Sequence, residues 1–385
     1  EQDDIEKAWS YIEDPEIHTV VQTAPAIRAA IGEACGLDAG YLSSGKMFGA
    51  IKALGFDKAM DTNFTADLTI IEEGHEFLGR LTKALKEKEE GISFPMITSC
   101  SPGWIKFMET FYPDFIPNIS TCKSPQQMFG PIAKTYYAEQ AGIDPEKMRV
   151  ISIMPCTAKK YECDRPEMNA SGYKDVDIVL TTREFGRMIK ETGLDFDHIE
   201  EVVPESPLGE STGAADIFAN TGGVMEAALR TVYEVVTGTP IPTLNFTPVR
   251  GLEGIKEAEV TFETCVDDFK FLEGVTAKVA VAHTTGNARK VLDAVKSGEK
   301  TYHFIEIMAC PGGCIGGGGQ PKPVSWEIKM ERAKAIYKED EGKKIRKSHE
   351  NPSITKIYED FLGKPNSHKA HELLHTKYTN RSHLK

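Results

Sequence analysis

Three β-prone runs in this chain each end on a cysteine: Phe94-Pro-Met-Ile-Thr-Ser-Cys100, Val150-Ile-Ser-Ile-Met-Pro-Cys156 and Phe304-Ile-Glu-Ile-Met-Ala-Cys310. A single buried cysteine is an ordinary core residue, but the same placement three times asks for a common purpose. In open parallel sheets, ligands bind beyond the carboxyl ends of the strands, so three such thiols can meet in one crevice. The surrounding pattern favours that geometry. From about residue 19 to residue 320, short β-rich runs alternate with longer amphipathic ones, as βαβ units require. Strands are predicted at 18–22, 94–98, 149–154, 176–180, 277–282 and 303–308, and helices at 64–88, 125–140, 183–190 and 224–236. The fold class is therefore α/β. After residue 323 the pattern turns to polar helical runs, at 326–338 and 353–362, with no strand.

Composition narrows the function classes. With 385 residues, 40% of them hydrophobic, the chain can bury a large core without disulfide staples. Its eight cysteines are too few and too irregularly spaced for a secreted disulfide scaffold, which leaves metal or redox chemistry. No apolar run reaches the roughly 20 residues of a membrane span. The net charge of −13 hides an asymmetry: residues 321–385 hold 15 Lys and Arg against 9 Asp and Glu, so residues 1–320 carry −19. An acidic body repels nucleic acid, and the basic tail reads as a strap lying on that body rather than a nucleic-acid arm. The sequence opens on Glu1 rather than Met, so a leader or preceding domain is expected to be missing. A cytoplasmic location is favoured and a periplasmic one stays open.

The third run continues as Cys310-Pro-Gly-Gly-Cys314-Ile-Gly-Gly-Gly-Gly-Gln-Pro321. Glycines let main chain approach a bulky inorganic centre and turn N–H groups toward it. A cubane iron–sulfur cluster usually takes four thiolates, whereas structural zinc prefers paired, closely spaced cysteines or histidines. Here only one short pair exists, so widely separated single cysteines beside a glycine loop favour iron–sulfur over zinc.

At these residues the sequence resembles the catalytic domain of the FeFe-hydrogenases. The resemblance rests on Thr98-Ser-Cys-Ser-Pro-Gly-Trp104, on Met154-Pro-Cys-Thr-Ala-Lys-Lys-Tyr-Glu162 and on residues 306–321, in family order. It extends to Gln22-Thr-Ala-Pro-Ala-Ile-Arg28, residues 66–76, Lys123-Ser-Pro-Gln-Gln127, Gly222-Gly-Val-Met-Glu-Ala227 and Ser348-His-Glu350. It implies two lobes with mostly parallel sheets flanked by helices, an active site between them in residues 1–320, and a helical strap over 321–385 resembling the hydrogenase small subunit. The implied cofactor is the H-cluster, a 4Fe-4S cubane joined through a cysteine sulfur to a diiron centre bearing CO, CN and a bridging dithiolate amine. The implied reaction interconverts H2 with two protons and two electrons. Implied partners are ferredoxin or redox partner subunits, and maturation proteins.

Carried over by motif, Cys156, Cys310 and Cys314 are thiolate ligands, with Cys314 the bridge. The family's first motif reads Thr-Ser-Cys-Cys-Pro, and here Ser101 stands at the cubane-ligand position while Cys100 matches the proton-relay cysteine. Three outcomes stay open: Ser101 ligates as an alkoxide, Cys100 is recruited instead, or the cluster is impaired. Cys100, Glu73, Ser120, Glu76 and Arg80 match the family's proton path. Glu73, Glu76 and Arg80 share one helix face by spacing, although such a charged stripe alone is commonly a solvated face. Lys159 matches the lysine that donates to a diiron cyanide. Ala24, Pro25, Gln126, Met154, Phe218 and Met308 match the cofactor pocket. Two further readings are kept: a sensory, low-turnover hydrogenase, and a non-catalytic iron–sulfur assembly or scaffold relative.

Other signals are discounted. Gly40 to Lys46 has phosphate-loop spacing, but Met47 replaces the magnesium-binding hydroxyl and no strand precedes it. His371-Glu-Leu-Leu-His375 fits the zinc-protease string with too little chain after it for a third ligand, so it reads as a surface helix of the strap. Cys35, Cys122, Cys163 and Cys265 lack partners at ligand spacing, although Cys122 lies two residues from Ser120.

Overall fold

A computed structural model describes residues 2–384 and shows two four-stranded sheets with helices packed around them. The first sheet has the order β2-β1-β4-β5 and is parallel throughout, from β1 (His18–Thr23), β2 (Lys58–Asp61), β4 (Met148–Met154) and β5 (Ile178–Thr181). β1 and β4 are buried along almost their whole length, as strands covered on both faces must be, which explains their near-continuous apolar runs. The second sheet has the order β3-β8-β7-β6, from β3 (Met96–Ile97), β6 (Ile255–Thr261), β7 (Thr276–His283) and β8 (Phe304–Met308). Here β3, β8 and β7 are parallel, and β6 adds an antiparallel edge whose Ile-Lys-Glu-Ala-Glu-Val-Thr sequence buries few of its residues.

Several boundaries differ from the sequence expectation for physical reasons. Predicted strand 94–98 shrinks to Met96–Ile97, since Pro95 has no N–H to give a ladder. The helix expected over 64–88 starts at Thr62, where Asp61 caps the Asn63 N–H, and its regular turns end at Leu81 before one wider turn over Thr82–Lys86. A similar wide turn, Ala133–Tyr137, interrupts the helix expected over 125–140. β2 and β6 were not anticipated: one has four residues, and the other is polar at most positions.

Both sheets point their carboxyl ends at one region. β1 leads into Ala24-Pro25 and its neighbour β4 into Pro155-Cys156, while β8 leads into Ala309-Cys310 beside β3, which leads into Thr98 to Cys100. The Thr62–Leu81 helix is buried over nearly its first four turns and carries Glu73 and Glu76 along the region's side. The tail residues 326–381 lie on the body through basic-on-acidic contacts: Arg332 pairs with Glu33 at 2.6 Å, His375 with Glu72 at 3.1 Å and Arg381 with Glu109 at 2.9 Å. Among the described residues no helix is long and apolar enough to cross a membrane.

Candidate active site

The strand ends enclose a cavity of about 170 Å³ lined mainly by apolar atoms. Cys100, Cys156, Cys310 and Cys314 all line it, as do Ser101 and Lys159. Ala24, Pro25, Gln126, Met154, Phe218 and Met308 form much of the remaining wall. All the residues expected around a cofactor are therefore brought together. Cys310 and Cys314 reach Cys156 because the glycine run folds back on the end of β4. A side chain at Gly317 would place its Cβ 2.2 Å from the Pro155 carbonyl oxygen, and Gly313, at φ +90°, sits against the Thr221 amide. The glycines thus serve backbone-to-backbone contact as well as approach to the cavity.

The thiols are mutually coupled. Burial, then the neighbouring Cys310, pushes Cys156 up to about 11, and burial, then Cys156 and Cys310, pushes Cys314 up to about 12. Burial also raises Cys310, while the Gly318 amide works the other way by donating to its sulfur. The Ala158 and Lys159 amides do the same for Cys156. Thiols packed together with amides aimed at their sulfurs are what a cationic iron–sulfur core requires: the metal supplies the charge that burial withholds, and N–H groups support the thiolates. The donor set fits that group better than a hard cation.

Ser101 and Cys100 face different neighbours. The Ser101 hydroxyl accepts a hydrogen bond from the Ala309 amide at 3.1 Å, holding it next to Cys310. Burial raises the Cys100 thiol well above its ordinary value, Glu73 adds to the rise, and Lys159 opposes it. Lys159 donates to the Cys100 carbonyl at 3.1 Å and to Glu162 at 2.8 Å. Burial works against the Lys159 charge, yet Glu162 and the thiols of Cys100 and Cys156 hold its pKa above the usual lysine range. Glu162 was not singled out from sequence. It also accepts from Ser124 at 2.9 Å and Gln126 at 3.1 Å, and its place three residues after Lys159 on the Ala158–Cys163 helix was the available signal.

Beyond Cys100 a polar row runs outward. Glu73 is buried, and that burial, reinforced by Glu76 and Glu306, lifts its carboxyl to about 8 against an opposing hydrogen bond from Ser120. The Ser120 hydroxyl donates to Glu76 at 3.0 Å. The other Glu76 oxygen receives Arg80 at 2.7 Å, and Arg80 also donates to the Ile119 carbonyl at 2.9 Å at the partly exposed rim. Glu306, buried within β8, was also missed: it accepts the Gly222 and Met225 amides at 2.6 and 2.8 Å and so fixes the turn following Phe218.

The family profile described as iron only hydrogenase large subunit, C-terminal domain, matches residues 17–318, and the iron hydrogenase small subunit profile matches residues 327–381. The chain belongs to the iron-only hydrogenase family. It is 51% identical to the NADP-reducing hydrogenase subunit HndD of Solidesulfovibrio fructosivorans over 98% of its own length, and it spans 63% of that relative. It is 50% identical to the periplasmic Fe hydrogenase large subunit of Nitratidesulfovibrio vulgaris over 80% of this chain and 70% of that one. The apo FeFe-hydrogenase HydA1 of Chlamydomonas reinhardtii superposes with a TM-score of 0.88 at 43% identity, covering 98% of this chain and 99% of that one. Within an iron-only hydrogenase fold, the departure at Ser101 stands out, because the hydroxyl occupies a cavity-lining place beside Cys310 while the adjacent thiol faces Glu73 and Lys159.

Proposed function

We propose that this chain is the hydrogen-activating unit of an FeFe-hydrogenase, interconverting H2 with two protons and two electrons. The carrying observation is the cavity in which three coupled thiols from two sheets meet an apolar wall, with a polar row leading away from Cys100. Cys156, Cys310, Cys314 and Ser101 would hold the cubane of an H-cluster, with Cys314 the bridging ligand. When bound, the diiron centre supplies the metal at which hydrogen is cleaved heterolytically.

The chain's own residues then bind, shield and move protons. The wall of Ala24, Pro25, Phe218, Met154 and Met308 excludes water, which strengthens every electrostatic interaction inside. Lys159, held in place by Glu162, offers an N–H toward an anionic ligand in the cavity. Cys100 exchanges its proton with Glu73, whose carboxyl at about 8 can hold or release one near neutral pH. Ser120 relays between Glu73 and Glu76, and Arg80 fixes Glu76 at the rim.

We assign residues 1–320 to the catalytic unit and 321–385 to a strap fused from a small-subunit-like segment. Electrons would arrive from ferredoxin or partner redox subunits, maturation proteins would install the diiron centre, and the favoured location is the cytoplasm. The test is hydrogen evolution from a reduced dye by matured protein, together with infrared bands of metal-bound carbonyl and cyanide. Bands with turnover are expected. Absence of both turnover and bands after reconstitution would overturn the reading and favour a non-catalytic scaffold.

A further inference from the structure

The strap closes over the outer end of the polar row and contributes a histidine to it. His375 leaves the His368–Leu374 helix at its C-terminus, is buried, and bridges in antiparallel register to Cys122. The zinc-protease string therefore does not put both histidines on one helix, and only His371 lies at the surface, its ring 4.0 Å from that of His375. One nitrogen or oxygen each from His375 and Glu76 and the Cys122 sulfur lie within 4.8 Å of one another. The Cys122 sulfur is 3.9 Å from Glu76 Oε2. His375 Nδ1 is 2.7 Å from the Thr121 hydroxyl, which is itself 3.2 Å from Glu76 Oε2. On its far side, His375 Nε2 meets Glu72 at 3.1 Å, and Glu72 also receives the Tyr358 hydroxyl.

We propose that Glu76, Cys122 and His375 form a second metal site, one that takes a single Zn²⁺ and in doing so closes the proton route at Glu76. This second half rests on the functional reading above. A thiolate, an imidazole and a carboxylate are the zinc donor set, and two of the three exclude Mg²⁺ and Ca²⁺. Zinc bonds of about 2.0–2.3 Å require the donors to close up by on the order of 1 Å, with rotation of the Thr121 side chain clearing the space between His375 and Glu76. The Glu72–His375 contact is the carboxylate–histidine arrangement that orients an imidazole toward a metal and raises its basicity.

Charge favours a divalent ion here. Glu72, Glu73 and Glu76 come from one helix and face the Cys122 thiol; burial first, then the charges of Glu76, Glu73 and Glu72, hold that thiol well above its ordinary pKa. Arg80 on the same helix, Tyr358 and Tyr378 from the strap, and His371 beside His375 complete the ionisable surroundings. Binding releases the thiol proton, so the affinity rises with pH. A Glu76 oxygen bound to zinc no longer accepts the Ser120 proton.

The test titrates Zn²⁺ alone into matured, cluster-loaded protein in competition with a chelating dye. One zinc per chain is expected, with one sulfur and otherwise nitrogen and oxygen neighbours in zinc X-ray absorption. Affinity should increase at least tenfold from about pH 6 to about pH 7, as release of one proton requires. Cys122→Ser and His375→Gln should each weaken binding at least tenfold, and the serine variant should lose the sulfur neighbour. Hydrogen evolution should fall at least tenfold at saturation and return when a chelator is added. Absence of a stoichiometric site, or unchanged affinity in both variants, overturns the site. Zinc bound with the expected sulfur but with undiminished turnover overturns the inhibitory half and counts against Glu76 in the proton route. Because the binding readouts do not depend on turnover, failure of the hydrogenase reading is seen separately, in protein free of zinc.

Discussion

Glu73 shows how burial sets chemistry at a single residue. Its carboxyl is lifted to about 8, so the folded protein holds that proton more tightly than the unfolded chain does. The stability this contributes is complete below the ordinary glutamate value, declines as pH climbs, and is lost through about 8. Glu73→Gln, neutral at every pH, should flatten the fall in melting temperature between about pH 5 and pH 9 relative to the parent. Parallel melting curves would contradict the assignment. The same variant should lower hydrogen evolution by at least about 100-fold at unchanged iron content, the size expected for loss of a positioned proton carrier. Ser101 makes the complementary case. Its hydroxyl is held by the Ala309 amide beside Cys310, so Ser101→Cys places a fourth thiolate where three are present. Iron retention under chelator challenge should rise in that variant, and an unchanged loss rate would show that the position does not limit the cluster.

At the scale of elements, the glycine loop and the end of β4 act as one unit. Gly317→Ala would drive a methyl group to 2.2 Å from a backbone oxygen that has no side-chain freedom to yield. A cost of about 1–3 kcal/mol and a disproportionate loss of bound iron are expected, read by thermal melting and iron assay. Elements of this kind were partly legible in the sequence. β4 and β8 could be read because both are buried, largely apolar runs leading to a cysteine, and the cysteines, Ser101 and Lys159 of the three main motifs line the cavity. β6 could not, because an edge strand with one covered face spells Ile-Lys-Glu-Ala-Glu-Val-Thr, close to a solvated loop. Glu72 and His375 were hidden for a different reason: their meaning comes from a contact across 303 positions of chain, which no local pattern encodes. Glu306 reads as a charge inside an apolar run until the two amides it accepts are seen.

Across the whole molecule, the two sheets are joined by buried charge as well as by apolar packing. Arg28 reaches Asp61 at the end of β2 at 2.9 Å and Asp216, in the Gly213–Asp216 helical turn whose alanines pack in one apolar cluster with Val279, Val281 and Phe304 of the second sheet, at 3.1 Å. Removing the cation strands two buried carboxylates, so Arg28→Met should cost about 3–5 kcal/mol in denaturant unfolding. A change below about 1 kcal/mol would mean that the apolar contacts alone set the register of the two halves.

The cavity's thiols belong to both halves, Cys156 to the first sheet and Cys310 and Cys314 to the loop after the second. Any group bound by all three is a keystone. Bound by thiols of both halves, it would make their separation require breaking metal–sulfur bonds. Backbone amides at 156–158, 309–310 and 312–318 should exchange with solvent far more slowly once the keystone is in place, while those of β6, at the distant sheet edge, keep their original rates.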